Sequence, residues 1–293
     1  NRFYGRGTCD MKGFIAVCLS FVPDMISREL RTPIHFAFSY DEEIGCIGVK
    51  TLIEKMHHMP VKPKMCIVGE PTNMNIAIGH KGKRSYQAEI SGFEAHSSLA
   101  PFGVNAISYA AELITYMDSM ADRFELNGPF DNSYDVTHTT IHSGTIIGGT
   151  ALNIVPKKCA LEFEFRNLAE HDPDGIIKEI TDHAKNNLQP RMQAIHPQTG
   201  IEIYEQTSAP GLNTNADEEI VTFVKSLAGK NDHIKVAFAT EAGLFREQVK
   251  IPTVICGPGS IEQAHKPDEY VSLGQLSQCE SLIQNLIEYV SIN

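Results

Sequence analysis

The chain has 293 residues, 42% of them hydrophobic, and its 25 basic and 36 acidic side chains give a formal net charge of −11. This length and apolar content suffice for one large or two ordinary domains. The acidic balance argues against a nucleic-acid-binding protein, which needs a basic surface. No apolar run reaches the roughly 18 residues of a membrane span, so we expect no membrane partner.

The first part of the chain alternates helices and strands. Residues 12–30 carry apolar residues at helical spacing, with an interruption near Pro23, and IHFAFSY (34–40) has the character of a strand. A helix is predicted over 45–59, and PKMCIVGEPT contains a short buried strand that ends at Glu70. Such alternation is typical of an α/β domain with a mostly parallel sheet.

The middle of the chain follows a different pattern. KRSYQAEISG alternates as a half-buried strand, 104–124 is a long amphipathic helix, and THTTIHSG and KKCALEFEFR alternate again. A second helix over 173–189 and a last strand, GIEIYEQ, complete the order βαββαβ. This order predicts a ferredoxin-like unit.

From about residue 210 the α/β pattern returns. A helix is predicted over 216–228, strands over HIKVAFAT and PTVICG, and a closing helix over 273–290. We therefore predict one domain made of residues 1–80 and 210–293, with a second domain, residues 81–209, inserted into it.

The seven cysteines are an odd number and include no C-x-x-C pair. Most lie in apolar segments. We expect them to be reduced core residues of a cytoplasmic protein.

Four loops of the predicted α/β domain carry acidic or imidazole groups next to a strand or helix end: Asp10, Asp41–Glu43, Glu70 and His265. The carboxyl ends of strands form the ligand crevice of an open α/β sheet, so these loops should meet. Carboxylates together with histidine are ligands for zinc, manganese or cobalt. Any one of these groups alone could be a solvated loop residue, but their joint placement favours a metal site.

Seven short motifs in this order, GRGTCDMKG, SYDEEIG, GEPT, GHKG, AHSS, FATEAGLF and GPGSIEQAHKPDEYV, resemble the dinuclear zinc aminoacylase/carboxypeptidase family. The resemblance covers essentially the whole chain. It implies a zinc-peptidase-like α/β/α catalytic domain with an inserted ferredoxin-like lid, residues 81–209, through which two subunits form a homodimer.

The resemblance also implies the roles of the site residues. Asp10 would bridge two divalent ions, zinc or cobalt, with Glu43 and His265 completing one metal site and Glu70 belonging to the other. Glu42 resembles the general base. His96 matches a lid histidine that reaches the partner subunit's active site and stabilises the oxyanion. The peptide bond after the bridging aspartate, Asp10–Met11, is expected to be cis.

The implied reaction removes the acyl group of a small-molecule N-acyl amino acid. The expected case converts N2-acetyl-L-ornithine to ornithine in arginine biosynthesis. Arg166 resembles the family's clamp on a substrate carboxylate, although an exposed lid arginine fits the pattern nearly as well. Asn153 is a candidate polar contact, and Glu241 would favour a substrate that carries an ammonium group. Desuccinylation of succinyl-diaminopimelate, dipeptide cleavage, another aminoacylase specificity and a metal-free ligand-binding protein stay open as alternatives.

One expected ligand has no counterpart in the sequence. The family takes a further histidine from a strand end upstream of the bridging aspartate, and the nine residues before Asp10 contain no histidine. Asp10 and Glu70 alone leave the second metal site incomplete. We therefore expect a natural protein that is longer at its N-terminus, and a 293-residue chain that holds at most one ion and is inactive.

Overall fold

The structure is a computed structural model that describes residues 1–292. It contains two compact units, Asn1–His80 together with the chain from Pro210 onward, and Lys81–Ala209. The strands are β1 (Arg2–Tyr4), β2 (Cys66–Val68), β3 (Ile76–His80), β4 (Gly82–Ser91), β5 (Thr140–Gly148), β6 (Lys158–Asn167), β7 (Gly200–Ala209), β8 (Leu212–Asn213), β9 (His233–Val236), β10 (Thr253–Ile255) and β11 (Tyr270–Ser272). The helices are α1 (Gly13–Ser20), α2 (Val22–Ser27), α3 (Val49–His57), α4 (Ala106–Asn127), α5 (Pro173–His183), α6 (Gln189–Ile195), α7 (Glu219–Ala228), α8 (Ala242–Leu244) and α9 (Leu273–Val290).

The first unit contains a five-stranded sheet in which β2, β10, β3 and β8 lie side by side and β9 also pairs with β3. The pairs β2–β10 and β3–β9 are parallel, whereas β3 runs antiparallel to β10 and β8. The sheet is therefore mixed rather than mostly parallel. The connection from β2 to β3, residues 69–75, is too short to hold the crossover helix that a parallel arrangement needs.

The predicted strand over 34–40 is wrong. Residues 33–39 have no regular secondary structure, although the rings of Phe36 and Phe38 stack with centroids 6.1 Å apart. An apolar, aromatic-rich segment becomes a strand only when a neighbour accepts and donates its backbone hydrogen bonds. In the described part of the chain no strand pairs with this segment, and Phe38 and Tyr40 are exposed.

Helices α1, α7 and α9 pack their apolar faces on the five-stranded sheet. Val17, Ile220, Val224 and Leu282 are buried there with the sheet residue Ile76. Helix α9 begins at Ser272, whose hydroxyl accepts a hydrogen bond from the N–H of Gln275, a standard side-chain cap. The loops that carry the candidate site belong to the same unit.

The second unit is an antiparallel sheet in the order β5–β6–β4–β7 with helices α4 and α5 packed against it. Along β6, buried Cys159, Leu161, Phe163 and Phe165 alternate with less buried residues, as a half-buried strand requires. Helix α4 begins after Asn105, whose side chain accepts two backbone N–H groups. The elements follow the strand–helix–strand–strand–helix–strand order of a ferredoxin-like unit.

All seven cysteines are free, and six of them are buried. The expectation of reduced core thiols is confirmed. Within residues 1–292, no helix combines the length and apolar character needed to cross a membrane.

Candidate metal centre

Three loops of the first unit bring Asp10, Glu43 and His265 together. His265 Nε2 lies 3.1 Å from Asp10 Oδ2 and 3.1 Å from Glu43 Oε2. One possible ligand atom from each residue lies within 4.8 Å of the other two. The side chain of Asp10 is largely buried, whereas those of Glu43 and His265 are exposed.

The surrounding elements explain this convergence. Asp10 lies in the wide turn Thr8–Lys12 that leads into α1, and Glu43 lies in the loop before α3. The antiparallel pair β1–β11 joins residues 2–4 to 270–272, so the loop with Asp10 and the loop with His265 run side by side.

The backbone of the site loops is unusual. Asp41, Cys46 and His265 have left-handed φ angles of 54°, 55° and 57°. Such angles are uncommon for residues other than glycine and occur often at functional sites. The Asp10–Met11 peptide bond is cis, as the resemblance predicts.

Glu70 lies beside Asp10 at the end of β2. It is 7% exposed, and its carboxyl group interacts electrostatically with that of Asp10. Burial, followed by the charges of Asp10 and Glu42, raises its pKa well above the usual range. Gly257 allows this close packing, because a Cβ at that position would lie 2.0 Å from the carbonyl oxygen of Gly69.

Glu42 and Glu43 are neighbours in sequence but make different contacts. Glu43 contacts His265, whereas Glu42 Oε1 accepts a hydrogen bond from Cys46 Sγ at 3.3 Å. Burial raises the pKa of Glu42, and the charges of Asp10 and Glu43 raise it further, against the lowering effect of the Cys46 hydrogen bond. The two carboxylates can therefore do different chemistry.

The donor set fits a divalent cation. Three protein ligands, here two carboxylates and one imidazole, are the usual number at an open catalytic zinc site, in which ligands about 2.0–2.1 Å from the ion lie about 3.3 Å from one another. The observed separations of 3.1 Å from His265 to each carboxylate agree with that spacing. Glu70 and Glu42 add negative charge that a cation would offset, because like charges disfavour their ionised forms.

Glu241 lies in the same unit, immediately before α8. It is 8% exposed, and its Oε2 accepts a hydrogen bond from Ser39 Oγ at 2.8 Å. Its Oε1 is buried with no hydrogen-bond partner among the described residues. Burial raises its pKa to about 7, with a further contribution from the charge of Glu42.

The remaining candidates lie in the second unit. His96 and Asn153 are exposed on adjoining segments, with the N–H of Ser97 donating to the carbonyl of Asn153. His96 Nδ1 lies 2.8 Å from Ser98 Oγ. Arg166 is half-buried on β6, and its Nε donates to Glu164.

Sequence reasoning missed Glu269, a buried acid four residues after His265. Its carboxylate accepts backbone N–H groups from Gly7, Cys9 and Asp10. Burial opposes its ionisation, but these hydrogen bonds outweigh that effect and lower its pKa. The acid lies within the HKPDEYV motif, yet a loop glutamate next to proline and aspartate looks like a solvated residue.

Comparison with known proteins identifies the family. Residues 1–289 match the model of peptidase family M20/M25/M40, and the chain belongs to this family. The acetylornithine deacetylase of Proteus mirabilis is 31% identical over 98% of this chain and 71% of that protein. The acetylornithine deacetylase of Pectobacterium carotovorum is 32% identical over 99% of this chain and 72% of that protein. Together these relatives indicate an amide hydrolase.

Solved structures share the fold. Aminopeptidase PepT from Bacillus cereus superimposes with a TM-score of 0.71 over 96% of this chain and 71% of that chain, at 21% identity. The metallo-carboxypeptidase Sso-CP2 of the M20 family from Sulfolobus solfataricus also gives 0.71, over 98% and 77%, at 17% identity. At these identities the likeness concerns the mixed α/β fold alone.

The pKa of Glu241 generates a stability prediction. Because the folded-state pKa of about 7 lies above the ordinary glutamate value of 4.5, the folded state keeps a proton that the unfolded state loses between these values. Stability therefore falls as pH rises through this window. We expect Glu241→Gln, measured in EDTA, to be more stable than wild type at pH 8 by roughly 3 kcal/mol.

Urea unfolding of both proteins from pH 4 to 8 measures this difference. It should disappear near pH 4, where both side chains are neutral. Glu247→Gln, which removes an exposed acid six residues away, serves as the control and should show no such pH dependence. A constant difference between wild type and Glu241→Gln across the range would show that Glu241 does not titrate as stated.

Proposed function

We propose that this protein is a metal-dependent amide hydrolase that removes the acetyl group of N2-acetyl-L-ornithine. The observation that carries the proposal is the cluster of Asp10, Glu43 and His265 beside a separate, half-buried Glu42. The similarity to acetylornithine deacetylases over nearly the whole chain supports the substrate. The product ornithine would enter arginine biosynthesis in the cytoplasm.

Asp10, Glu43 and His265 would hold one divalent ion, zinc or cobalt. Asp10 also contacts Glu70, so that these two residues would contribute to a second ion. Divalent ions at such a site supply Lewis acidity, which polarises a carbonyl oxygen and lowers the pKa of water. Among residues 1–292 the first site has three ligands and the second has two.

Glu42 is the proposed general base. Its carboxylate would take a proton from the attacking water and return it to the leaving amine, as the hydrolysis of an amide requires. The raised pKa of Glu42 suits this proton transfer, because a carboxylate of low pKa is too weak a base to accept a proton near neutral pH. The hydrogen bond from Cys46 orients the carboxylate.

Glu241 is the proposed contact for the side-chain ammonium of the substrate. Its Oε1 is buried with no hydrogen-bond partner in the described part of the chain, and an unpaired buried acceptor is costly unless a ligand supplies a donor. An ammonium group supplies both the donor and the opposite charge. The influence of Glu42 on the pKa of Glu241 supports its closeness to the catalytic residues.

The second unit would supply the other substrate contacts. We propose Arg166 for the substrate carboxylate, since a guanidinium binds a carboxylate through two hydrogen bonds, and Asn153 as a polar contact. His96 would stabilise the oxyanion through Nε2, because Nδ1 contacts Ser98.

A homodimer would place His96 in the partner's site. Strand β5 is the edge of its sheet, and Ile146 and Ile147 are 48% and 76% exposed. An exposed apolar edge strand is a template for pairing with another chain, and a second copy of the same strand is the occupant we propose.

The two adjacent glutamates give the first test, in protein expressed from its complete gene. Glu42→Ala should keep its metal while the hydrolysis rate falls about 100- to 10,000-fold, because only the base is lost. Glu43→Ala should lose metal as well as activity, because a ligand is lost. Elemental analysis after desalting and a deacetylase assay measure both. Equal metal loss in the two variants would contradict the assignment.

Substrate choice gives the second test. The panel contains N2-acetyl-L-ornithine, N-acetyl-L-norvaline, succinyl-diaminopimelate and a dipeptide. Wild type should prefer acetylornithine to acetylnorvaline, which lacks only the ammonium group. In Glu241→Gln this preference should fall roughly 10- to 100-fold, because the charge-assisted hydrogen bond to the ammonium group is lost. Glu247→Gln is the matched control. If wild type prefers succinyl-diaminopimelate or the dipeptide, the proposed substrate is wrong. If Glu241→Gln keeps the wild-type preference for acetylornithine over acetylnorvaline, Glu241 does not bind the ammonium group.

The dimer gives the third test. A mixed dimer of one His96→Ala and one Glu42→Ala subunit should recover about half of the wild-type rate, because one of its two sites is then complete. Mixed dimers are isolated through two different affinity tags. The control is a mixed dimer of one wild-type subunit and one subunit that carries both substitutions. This control dimer should be inactive if His96 acts in trans and half-active if it acts in cis. An inactive first pair beside a half-active control would overturn the trans role.

A further inference from the structure

Glu269 ties the loop that carries Asp10 to the loop that carries His265. Its side chain is 2% exposed. Oε1 accepts the N–H groups of Cys9 at 2.9 Å and Asp10 at 3.1 Å, and Oε2 accepts that of Gly7 at 2.8 Å. These contacts join residues about 260 positions apart in sequence. One of the donors is the main-chain N–H of Asp10, a proposed metal ligand.

The turn before α1 is shaped around this single carboxylate. Three N–H groups can point at one side chain only if the backbone curls around it, and Gly7 provides the left-handed φ of 78° that this curl needs. The N–H of Gly5 also donates to the carbonyl oxygen of Glu269, at 2.9 Å. The position of the Asp10 main chain therefore depends on Glu269.

The same residue is fixed on the side of His265. Glu269 directly precedes β11, which pairs with β1, and its N–H donates to the carbonyl of Lys266. Movement of Glu269 would displace Asp10 relative to His265, whose Nε2 lies 3.1 Å from Asp10 Oδ2. Metal affinity is sensitive to such displacements, because ligands must be held at fixed distances.

We infer that Glu269 is a positioning residue of the metal centre, which sets the distance between Asp10 and His265 by binding the backbone of the Asp10 turn. This inference rests on the proposed metal site. The alternative is a purely structural role, in which Glu269 stabilises the fold through the turn and through Arg6, whose guanidinium lies 3.7 Å away, without influence on the metal.

The experiment uses the full chain, stripped of metal and titrated with Co²⁺ alone by calorimetry. Glu269→Gln keeps the size of the side chain but turns an amide NH₂ toward backbone donors, so at least one of the three hydrogen bonds is lost. Glu269→Asp keeps the charge but is shorter. The matched control is Asp268→Asn, which removes the exposed neighbouring acid. Thermal unfolding in EDTA measures the effect of each change on the metal-free fold.

We expect Glu269→Gln to weaken Co²⁺ binding about 10- to 100-fold, Glu269→Asp to recover part of the loss and Asp268→Asn to bind like wild type. If Glu269→Gln does not fold, the comparison of Glu269→Asp with wild type decides. Lower melting temperatures in EDTA with unchanged Co²⁺ affinity would overturn the inference and leave a structural role. Absence of Co²⁺ binding by wild type would instead overturn the proposed metal site.

Discussion

The organising constraint of the first unit is the repulsion among carboxylates gathered around Asp10. Glu70 and Glu42 are both shifted toward their protonated forms by burial and by the neighbouring charges, Asp10 among them. Desolvation and repulsion of such groups lower the stability of the fold, and a bound divalent cation would offset both effects. His265 lies 3.1 Å from both Asp10 and Glu43 and would supply the nitrogen ligand that distinguishes a transition-metal site from a calcium site.

This gathering depends on main-chain connections rather than on the acids themselves. The β1–β11 pair and the carboxylate of Glu269 bring the turn with Asp10 against the loop with His265, although more than 250 residues separate them. Glu70 follows β2, which pairs with β10, and Gly257 lets the two strand ends approach closely. Glu43 and His265 are exposed, whereas Asp10 and the Glu269 carboxylate that binds its main chain are largely buried.

Patterns within one element could be predicted from the sequence, and dependence on a distant partner could not. The helix over 273–290 and the alternation along KKCALEFEFR follow from local periodicity, and the structure has both. The segment 34–40 has the same apolar, aromatic-rich character as a strand, but strand formation needs a paired neighbour that composition does not reveal. The gathering of Asp10, Glu43 and His265 could be anticipated from their loop positions, although the segment before Glu43 is not the strand on which that expectation partly rests. Glu269 could not, since its partners are backbone N–H groups that no residue pattern marks.

The contrast between Glu241 and Glu269 shows how the same side chain serves two purposes. Both are almost fully buried, and both lie outside the set of metal ligands. Burial opposes the ionisation of Glu269, but three backbone N–H groups donate to its oxygens and lower its pKa, so the charged form is favoured. Burial, with a contribution from the charge of Glu42, raises the pKa of Glu241 to about 7 against the one hydroxyl donor, and its Oε1 is buried with no hydrogen-bond partner among residues 1–292. A carboxylate in that condition gains most from an incoming cationic group, because the ligand supplies the charge and the hydrogen bonds that the protein withholds.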